Sequence, residues 1–405
     1  MERFQGLIGI ALIAAIVIGF SAHRKRIKWR TLGVGFALQV AFALLVLTWE
    51  PGAKALGWTA DVVQKLIDFT AEGTAFVFGP LFEDADGFIF ALNVLPVIIF
   101  LGALIGAMFH VRALQWFVEI VGTALNRIMG TSKVESVWAS TVIFLGQSEA
   151  PLVIKPWLSK LTRSELFTCM SGGFASVAGS TLVGYSLLGA PLPYLLAASI
   201  MNAPGSLLIA KALMPETEES VASANVREVR DTENRNLIEA LGTGALNGGR
   251  VAINVLCMLI AFVALIAMLT AIIGGIGSLF GQDNWSLEGL FGLLFAPVAW
   301  VIGVPWDEAA QVGNFIGLKT ILNEFVGYTA FSEYADVLSD KSVMISTFAL
   351  AGFANLSSIA IQIGSFGALC PERRGEVASL GVKALCAGAL TNLLNAAIVG
   401  VVAPM

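Results

Sequence analysis

The chain has 405 residues, 57% of them hydrophobic and 13% charged, with a formal charge of -5. Soluble domains carry about 25% charged residues, so this composition excludes an ordinary soluble enzyme or binding domain. No basic stripe is present to meet a nucleic acid. Forty-two glycines in so apolar a chain suit close helix packing and broken helices in lipid.

A helix that crosses a bilayer needs about 20 apolar residues. Runs of that kind fall, in chain order, at roughly 3–22, 31–49, 88–110, 165–188, 191–213, 248–277, 342–368 and 378–402. They predict an all-α polytopic membrane protein with about eight transmembrane helices. The first run has the look of a signal peptide, but its basic residues follow it: His23-Arg24-Lys25-Arg26-Ile27-Lys28-Trp29-Arg30. That cluster marks the cytoplasmic side and puts the N-terminus outside. Residues 50–87, acidic through Glu50, Asp61, Asp68, Glu72, Glu83, Asp84 and Asp86, suit the outer face, with an amphipathic surface helix at 61–68. Residues 111–139 hold Arg112, Arg127 and Lys133 and belong inside, with Trp116 and Trp138 as interface anchors. Lys155, Lys160 and Arg163 lie on the same side. Residues 216–239, which include Glu216, Arg227, Glu228, Arg230, Asp231, Glu233 and Glu239, form a solvated cytoplasmic connector between two halves. Arg373 and Arg374 put the last loop inside and the C-terminus outside. Cys169, Cys257, Cys370 and Cys386 read as small buried hydrophobes, and His23 and His110 as interfacial residues. No metal-ligand cluster is evident.

Two stretches, 139–163 and 307–337, are apolar but short and interrupted by Gly, Pro and acidic residues. Each predicts a re-entrant helical hairpin. Irregular backbone at that depth persists only where it is buried in protein or lines a wet cavity. The order hairpin, span, span occurs twice with opposite orientation, which is an inverted repeat.

The hairpins carry two acidic motifs, Gly146-Gln147-Ser148-Glu149 and Asn323-Glu324-Phe325. Each precedes an apolar segment with a polar middle: Ser176-Val177-Ala178-Gly179-Ser180-Thr181 and Asn355-Leu356-Ser357-Ser358. A carboxylate at membrane depth costs roughly 2.5–3.5 kcal/mol on the gentlest scales, so a polar site near the midplane is expected. Carboxylates, amides and hydroxyls beside Phe325 and Phe353 suit a neutral solute with a planar ring and several hydroxyls. No arginine lies in these motifs, which argues against an anionic solute. The plainer readings are ion pairs of the glutamates with Lys155 or Lys319, and packing roles for Ser176, Gly179, Ser180 and Ser357. The alternative is another carrier, of small polar or organic-acid solutes; the organic-acid case predicts a substrate-binding arginine, which these motifs lack. A channel needs symmetric pore rings, and a hydrolase needs a nucleophile with a base; neither pattern is found.

Gly146-Gln147-Ser148-Glu149-Ala150-Pro151, Gly303-Val304-Pro305-Trp306, Asn323-Glu324-Phe325 and Gly352-Phe353-Ala354-Asn355-Leu356-Ser357-Ser358-Ile359 together resemble the concentrative nucleoside transporters. The resemblance runs along essentially the whole chain. It implies a homotrimer in a bacterial inner membrane, importing a uridine-like nucleoside on a cation gradient (Na+ favoured over H+) with no organic cofactor and no nucleic-acid partner. It implies scaffold and elevator-type transport domains. Scaffold helices fall at 1–110, the first half of the transport domain at 111–215, the connector at 216–247, a long scaffold helix at 248–285 and the second transport half at 286–405. By the family pattern, Gln147, Ser148 and Glu149 face the base, Glu324, Asn355 and Ser358 bind the ribose hydroxyls, and Thr181 and Phe353 line the base pocket. A sodium cage would draw on Leu145, Ser176 and Val177, with Val142 standing where sodium-coupled relatives commonly have Asn. Without that side-chain oxygen, a proton carried by Glu149 or Glu324 is the alternative.

Overall fold

The computed structural model describes residues 2–83, 88–220, 231, 234–282 and 284–403, and among these every regular element is helical. The first half runs α1 (Glu2–Gly19), α2 (Trp29–Leu47), α3 (Glu50–Phe78), the single turns α4 (Pro80–Glu83) and α5 (Phe90–Asn93), and α6 (Leu95–His110). It continues with α7 (Ala113–Met129), α8 (Lys133–Thr141), α9 (Ala150–Ile154), the broken pair α10 (Arg163–Ala175) and α11 (Gly179–Leu187), and α12 (Leu192–Leu213). From α6 onward this order repeats: α13 (Leu237–Leu279), α14 (Leu287–Val301), α15 (Ala309–Ile321), α16 (Glu324–Ser332), the broken pair α17 (Asp340–Leu350) and α18 (Leu356–Leu369), and α19 (Arg374–Val402).

Six of the described helical stretches are long and apolar enough to cross a membrane. The expected runs at 3–22 and 342–368 fall short of that length, the second because it breaks between α17 and α18. Capping chemistry sets several boundaries. Ser132 with Glu135 opens α8 and Thr162 with Glu165 opens α10, each as a reciprocal capping box. Asn236 caps α13, so the helix starts inside the expected connector rather than at 248. The amphipathic segment expected at 61–68 extends to all 29 residues of α3. Within the connector and the outer loop, Asp84, Asp86, Arg227, Glu228, Arg230 and Glu233 lie outside the described residues.

α6 and α13 pair closely because small residues line the seam. A methyl group on Gly102 would sit 2.7 Å from the Gly244 carbonyl oxygen, and one on Gly248 2.6 Å from that of Ile98. α1 packs along α19 and α2 along α12. At the base of α8, Glu135 pairs with Lys211 of α12, which also lies 3.2 Å from Glu216. Two expectations need correction. Trp138 is not an interface anchor: it is 1% exposed and packs on Phe366 with ring centroids 5.5 Å apart, because α8 is enclosed by neighbouring helices. Cys257 and Cys386 are exposed; on an apolar outer face a thiol loses little by facing outward.

The two broken helices meet at their breaks. Phe353 N–H donates to the Ser176 carbonyl at 3.0 Å. The Asn392 amide of α19 donates to the carbonyls of Ala175 (2.8 Å) and Ala351 (3.0 Å) and to Asn202 Oδ1 (3.1 Å). Asn202 Nδ2 returns to the Ala351 carbonyl at 2.9 Å, and Lys319 Nζ donates to Asn392 Oδ1 at 2.8 Å and to the Ala349 carbonyl at 3.0 Å. Gly352 admits this crossing, since a methyl group there would lie 2.7 Å from the Ala175 carbonyl oxygen. An unpaired carbonyl and an underpartnered ammonium in this dry core together cost roughly 2–5 kcal/mol. Asn392→Leu is therefore expected to lower the thermal unfolding midpoint in detergent clearly, while Ser365→Ala on the exposed face of α18 leaves it unchanged; equal midpoints would contradict the role given to Asn392.

Candidate functional site

Between the α8–α9 turn and the start of α16 lies a cavity of about 190 Å³. Gln147, Ser148, Glu149, Thr181, Glu324, Phe353, Asn355 and Ser358 all line it. The first motif lies in the turn between α8 and α9, and the second opens α16. Asn355 and Ser358 come from the start of α18, and Thr181 from the start of α11. The opposite wall is α13, which supplies Val251, Asn254, Val255 and Met258.

Glu324 is 5% exposed and both its oxygens are engaged. Tyr185 O–H donates to Oε1 at 3.0 Å and Asn355 Nδ2 donates to Oε2 at 2.8 Å. Asn323 Oδ1 caps α16 by accepting from Val326 N–H at 3.0 Å, so the carboxylate sits at a helix N-terminus, where the helix dipole favours negative charge. A carboxylate offers about four acceptor sites; two are taken by neutral donors, and the rest can accept from hydroxyls of a guest. Asn355 works in two directions, since its Oδ1 also accepts from Ser358 N–H at 2.9 Å and caps α18. Ser357 Oγ donates to the same Oδ1 at 2.7 Å, which spends its proton on the cap.

Gln147 is 4% exposed and its Nε2 donates to Ser358 Oγ at 2.7 Å. Ser148 is exposed, and Glu149 is half-buried with its carboxylate beside the Gly146 main-chain N–H. Thr181 Oγ1 donates to the Ala178 carbonyl at 2.9 Å and also stands beside the Tyr185 hydroxyl. Neither glutamate forms the ion pair that a structural reading requires: among the described residues no Glu149–Lys155 or Glu324–Lys319 contact falls within 4.0 Å, and Lys319 is committed to Ala349 and Asn392.

Beside this chamber lies a second cavity of about 410 Å³ that shares Glu149, Ser180 and Val251 with it and extends to Lys155, Asn234 and Asp231 at the start of α13. Val142, Ser176 and Val177 line neither cavity, and Leu145 lines the second. All four are buried. The carbonyls of Val142, Leu145 and Val177 accept no hydrogen bond from the described residues, whereas that of Ser176 accepts Phe353 N–H. The Ser176 hydroxyl donates to the Gly173 carbonyl at 3.1 Å and keeps its lone pairs. This is a set of oxygens without donors, the chemistry a hard monovalent cation takes.

Sequence reasoning missed Tyr185, Asn254 and Gln362. Asn254 carried a signal, as an uncharged polar residue inside the apolar run 248–277. Tyr185 and Gln362 carried none, because one polar side chain in an apolar helix does not name its partner.

Comparison with known proteins places the whole chain. Residues 194–400 match the family profile described as Na+ dependent nucleoside transporter C-terminus, residues 8–81 the corresponding N-terminus, and residues 91–192 a profile described as nucleoside recognition. The chain is 49% identical to an uncharacterized transporter, YutK, of Bacillus subtilis over 99% of both chains. It is 42% identical to the putative nucleoside permease NupX of Escherichia coli over 99% of both, and 40% identical to the nucleoside permease NupC of Helicobacter pylori over 97% and 96%. Among solved structures it superposes on CNTnw in an inward-facing substrate-bound state with TM-score 0.94, 45% identity and coverage of 99% and 98%. A doubly substituted CNTnw in an outward-facing state gives TM-score 0.95 at the same identity and coverage.

Proposed function

We infer the function from a fact of kinship: the chain belongs to the concentrative nucleoside transporter family, multi-pass membrane transporters and not enzymes. In our reading it is a symporter that imports nucleosides across a bacterial inner membrane on a cation gradient. The observation that carries this reading is that both acidic motifs and both helix breaks line one small chamber. Gln147, Ser148 and Glu149 at one end meet the base, with Thr181 and Phe353 flanking it. Glu324 and Asn355 at the other end meet the ribose hydroxyls together with Ser358, which stands between the two ends, 2.7 Å from Gln147 Nε2. A hydroxyl bonded to a carboxylate gains roughly 1.5–3 kcal/mol, about twice a neutral pair. Among the described residues no lysine or arginine lines the chamber, which disfavours the organic-acid reading.

For the mechanism we propose alternating access of the elevator kind across about eight spans, with both termini outside. The glycine-seamed α6–α13 pair is the fixed frame. The two re-entrant hairpins, the crossed broken helices, α12 and α19 are the moving body. α1 and α2, expected with the frame, pack against α19 and α12 and in this proposal travel with the body. The second cavity, running from Glu149 toward the connector, is the cytoplasmic exit. The homotrimer is carried by the family resemblance, and an apolar face of α13 that includes Ile253, Ile260 and Ile272 is exposed to receive neighbouring copies or lipid.

For coupling we propose sodium, held by the free carbonyls of Val142, Leu145 and Val177 with the Ser176 hydroxyl. Val142 lends only its carbonyl, so sodium should bind weakly. Val142→Asn is expected to lower the sodium concentration for half-maximal uptake several-fold; unchanged sodium dependence would mean the cage lies elsewhere. Radiolabelled uridine uptake into proteoliposomes is expected under an imposed sodium gradient, and absence of uptake under both sodium and proton gradients would refute the symporter. Glu324→Gln should cut uridine kcat/KM roughly ten- to a hundredfold and Ser357→Ala less than about threefold; comparable mild losses would undo the ribose assignment.

A further inference from the structure

Gln362 lies on α18 just beyond Ser358, is 0% exposed and does not line the chamber. Its surroundings dictate which way round the neighbouring amide must point. The Met170 main-chain carbonyl of α10 can only accept, and Gln362 Nε2 stands 3.0 Å from it. That contact turns the NH2 group of Gln362, not its carbonyl, toward α10. The same nitrogen is 3.1 Å from Gln147 Oε1. Gln147 must therefore present its carbonyl to Gln362 and its NH2 to the opposite side, where Nε2 donates to Ser358 Oγ at 2.7 Å.

Ser358 spends an oxygen lone pair on Gln147 and keeps its own O–H proton, for which the described residues provide no acceptor. The second N–H of Gln147 is likewise uncommitted. A guest arriving here meets two donors, the second N–H of Gln147 and the Ser358 O–H, and one acceptor, the remaining lone pair of the Ser358 oxygen; the amide itself offers this side only N–H. Close approach is essential to the relay: a methyl group on Gly173 would lie 2.8 Å from Gln362 Nε2 and 3.3 Å from Gln147 Cβ.

We propose that Gln362 is a specificity-determining residue: anchored on the Met170 carbonyl, it locks the Gln147 amide with its NH2 toward the guest, so the site favours bases with a carbonyl at that edge over bases with an amino group. Uracil and hypoxanthine present the carbonyl; cytosine and adenine present the amino group at the corresponding position. The inference rests on the base-facing role given to Gln147 above. Gln362 is a positioning residue, since it acts through Gln147 without touching the guest.

The test is competition by uridine, cytidine, inosine and adenosine for labelled uridine bound to the full chain in nanodiscs. For the parent chain, uridine should outcompete cytidine, and inosine adenosine, each by roughly three- to tenfold, the worth of one hydrogen bond. Gln362→Met fills the same space without the lock; both ratios should fall toward one, while the penalty for 2′-deoxyuridine relative to uridine stays at its parent value. Gln362→Glu goes further. Whether ionised or protonated toward Met170, a carboxyl group there offers an oxygen acceptor to Gln147, turns its NH2 inward and should invert both ratios. A folded Gln362→Met protein with the parent's ratios overturns the inference, as does a parent that binds all four nucleosides equally. A Gln362→Met protein that loses carbonyl preference and the 2′-deoxy penalty together also overturns it, because that is general collapse. A parent that binds none of the four overturns the functional reading beneath it.

Discussion

The structure depends on how two helices can be broken in the middle of a membrane protein. A break frees main-chain N–H and C=O groups where no water reaches, each costing several kcal/mol if left alone in hydrocarbon. Here the two breaks are laid across one another. Phe353 N–H answers the Ser176 carbonyl, and the Asn392 amide answers those of Ala175 and Ala351. Lys319 Nζ then donates to the far side of Asn392 and to the Ala349 carbonyl near the end of α17. Neither break is satisfied without the other, so both halves of the chain must be folded before the crossing exists.

The crossing also makes the site. Residues used for capping are the residues offered to a guest: Asn355 caps α18 with its oxygen and holds Glu324 with its nitrogen. Glu324 is gripped by Tyr185 and Asn355 in one orientation, which reduces the entropy lost when a ligand is bound. Four separate elements thus present rigid polar atoms to one chamber of about 190 Å³, while α13 closes it with a mostly apolar wall.

Much of this was legible in the sequence. Carboxylates are costly enough at membrane depth that Glu149 and Glu324 announce a site, and the polar interruptions at 176–181 and 355–358 announce the breaks. The eight residues drawn from the motifs and the family pattern all line the chamber. What was illegible has a common cause, which is that a helix does not record what packs on it. Trp138 reads as an interface anchor because tryptophan favours that depth, yet α8 is enclosed. The start of α13 was misread because Glu239 and its charged neighbours look like connector, although Asn236 caps a helix there. The placing of α1 and α2 against α19 and α12, and the relay from Met170 through Gln362 to Gln147, join residues distant in sequence and leave no local periodicity to read.

The central claim is that both motifs grip one nucleoside, base at the first and ribose at the second. A structure of the chain with 5-bromouridine tests it most directly, since the bromine marks the base by anomalous scattering. The account predicts the bromine signal at the Gln147 end of the chamber and ribose density within hydrogen-bond distance of Glu324 and Asn355. A bromine signal beside Glu324, or a nucleoside bound outside the chamber, would contradict it.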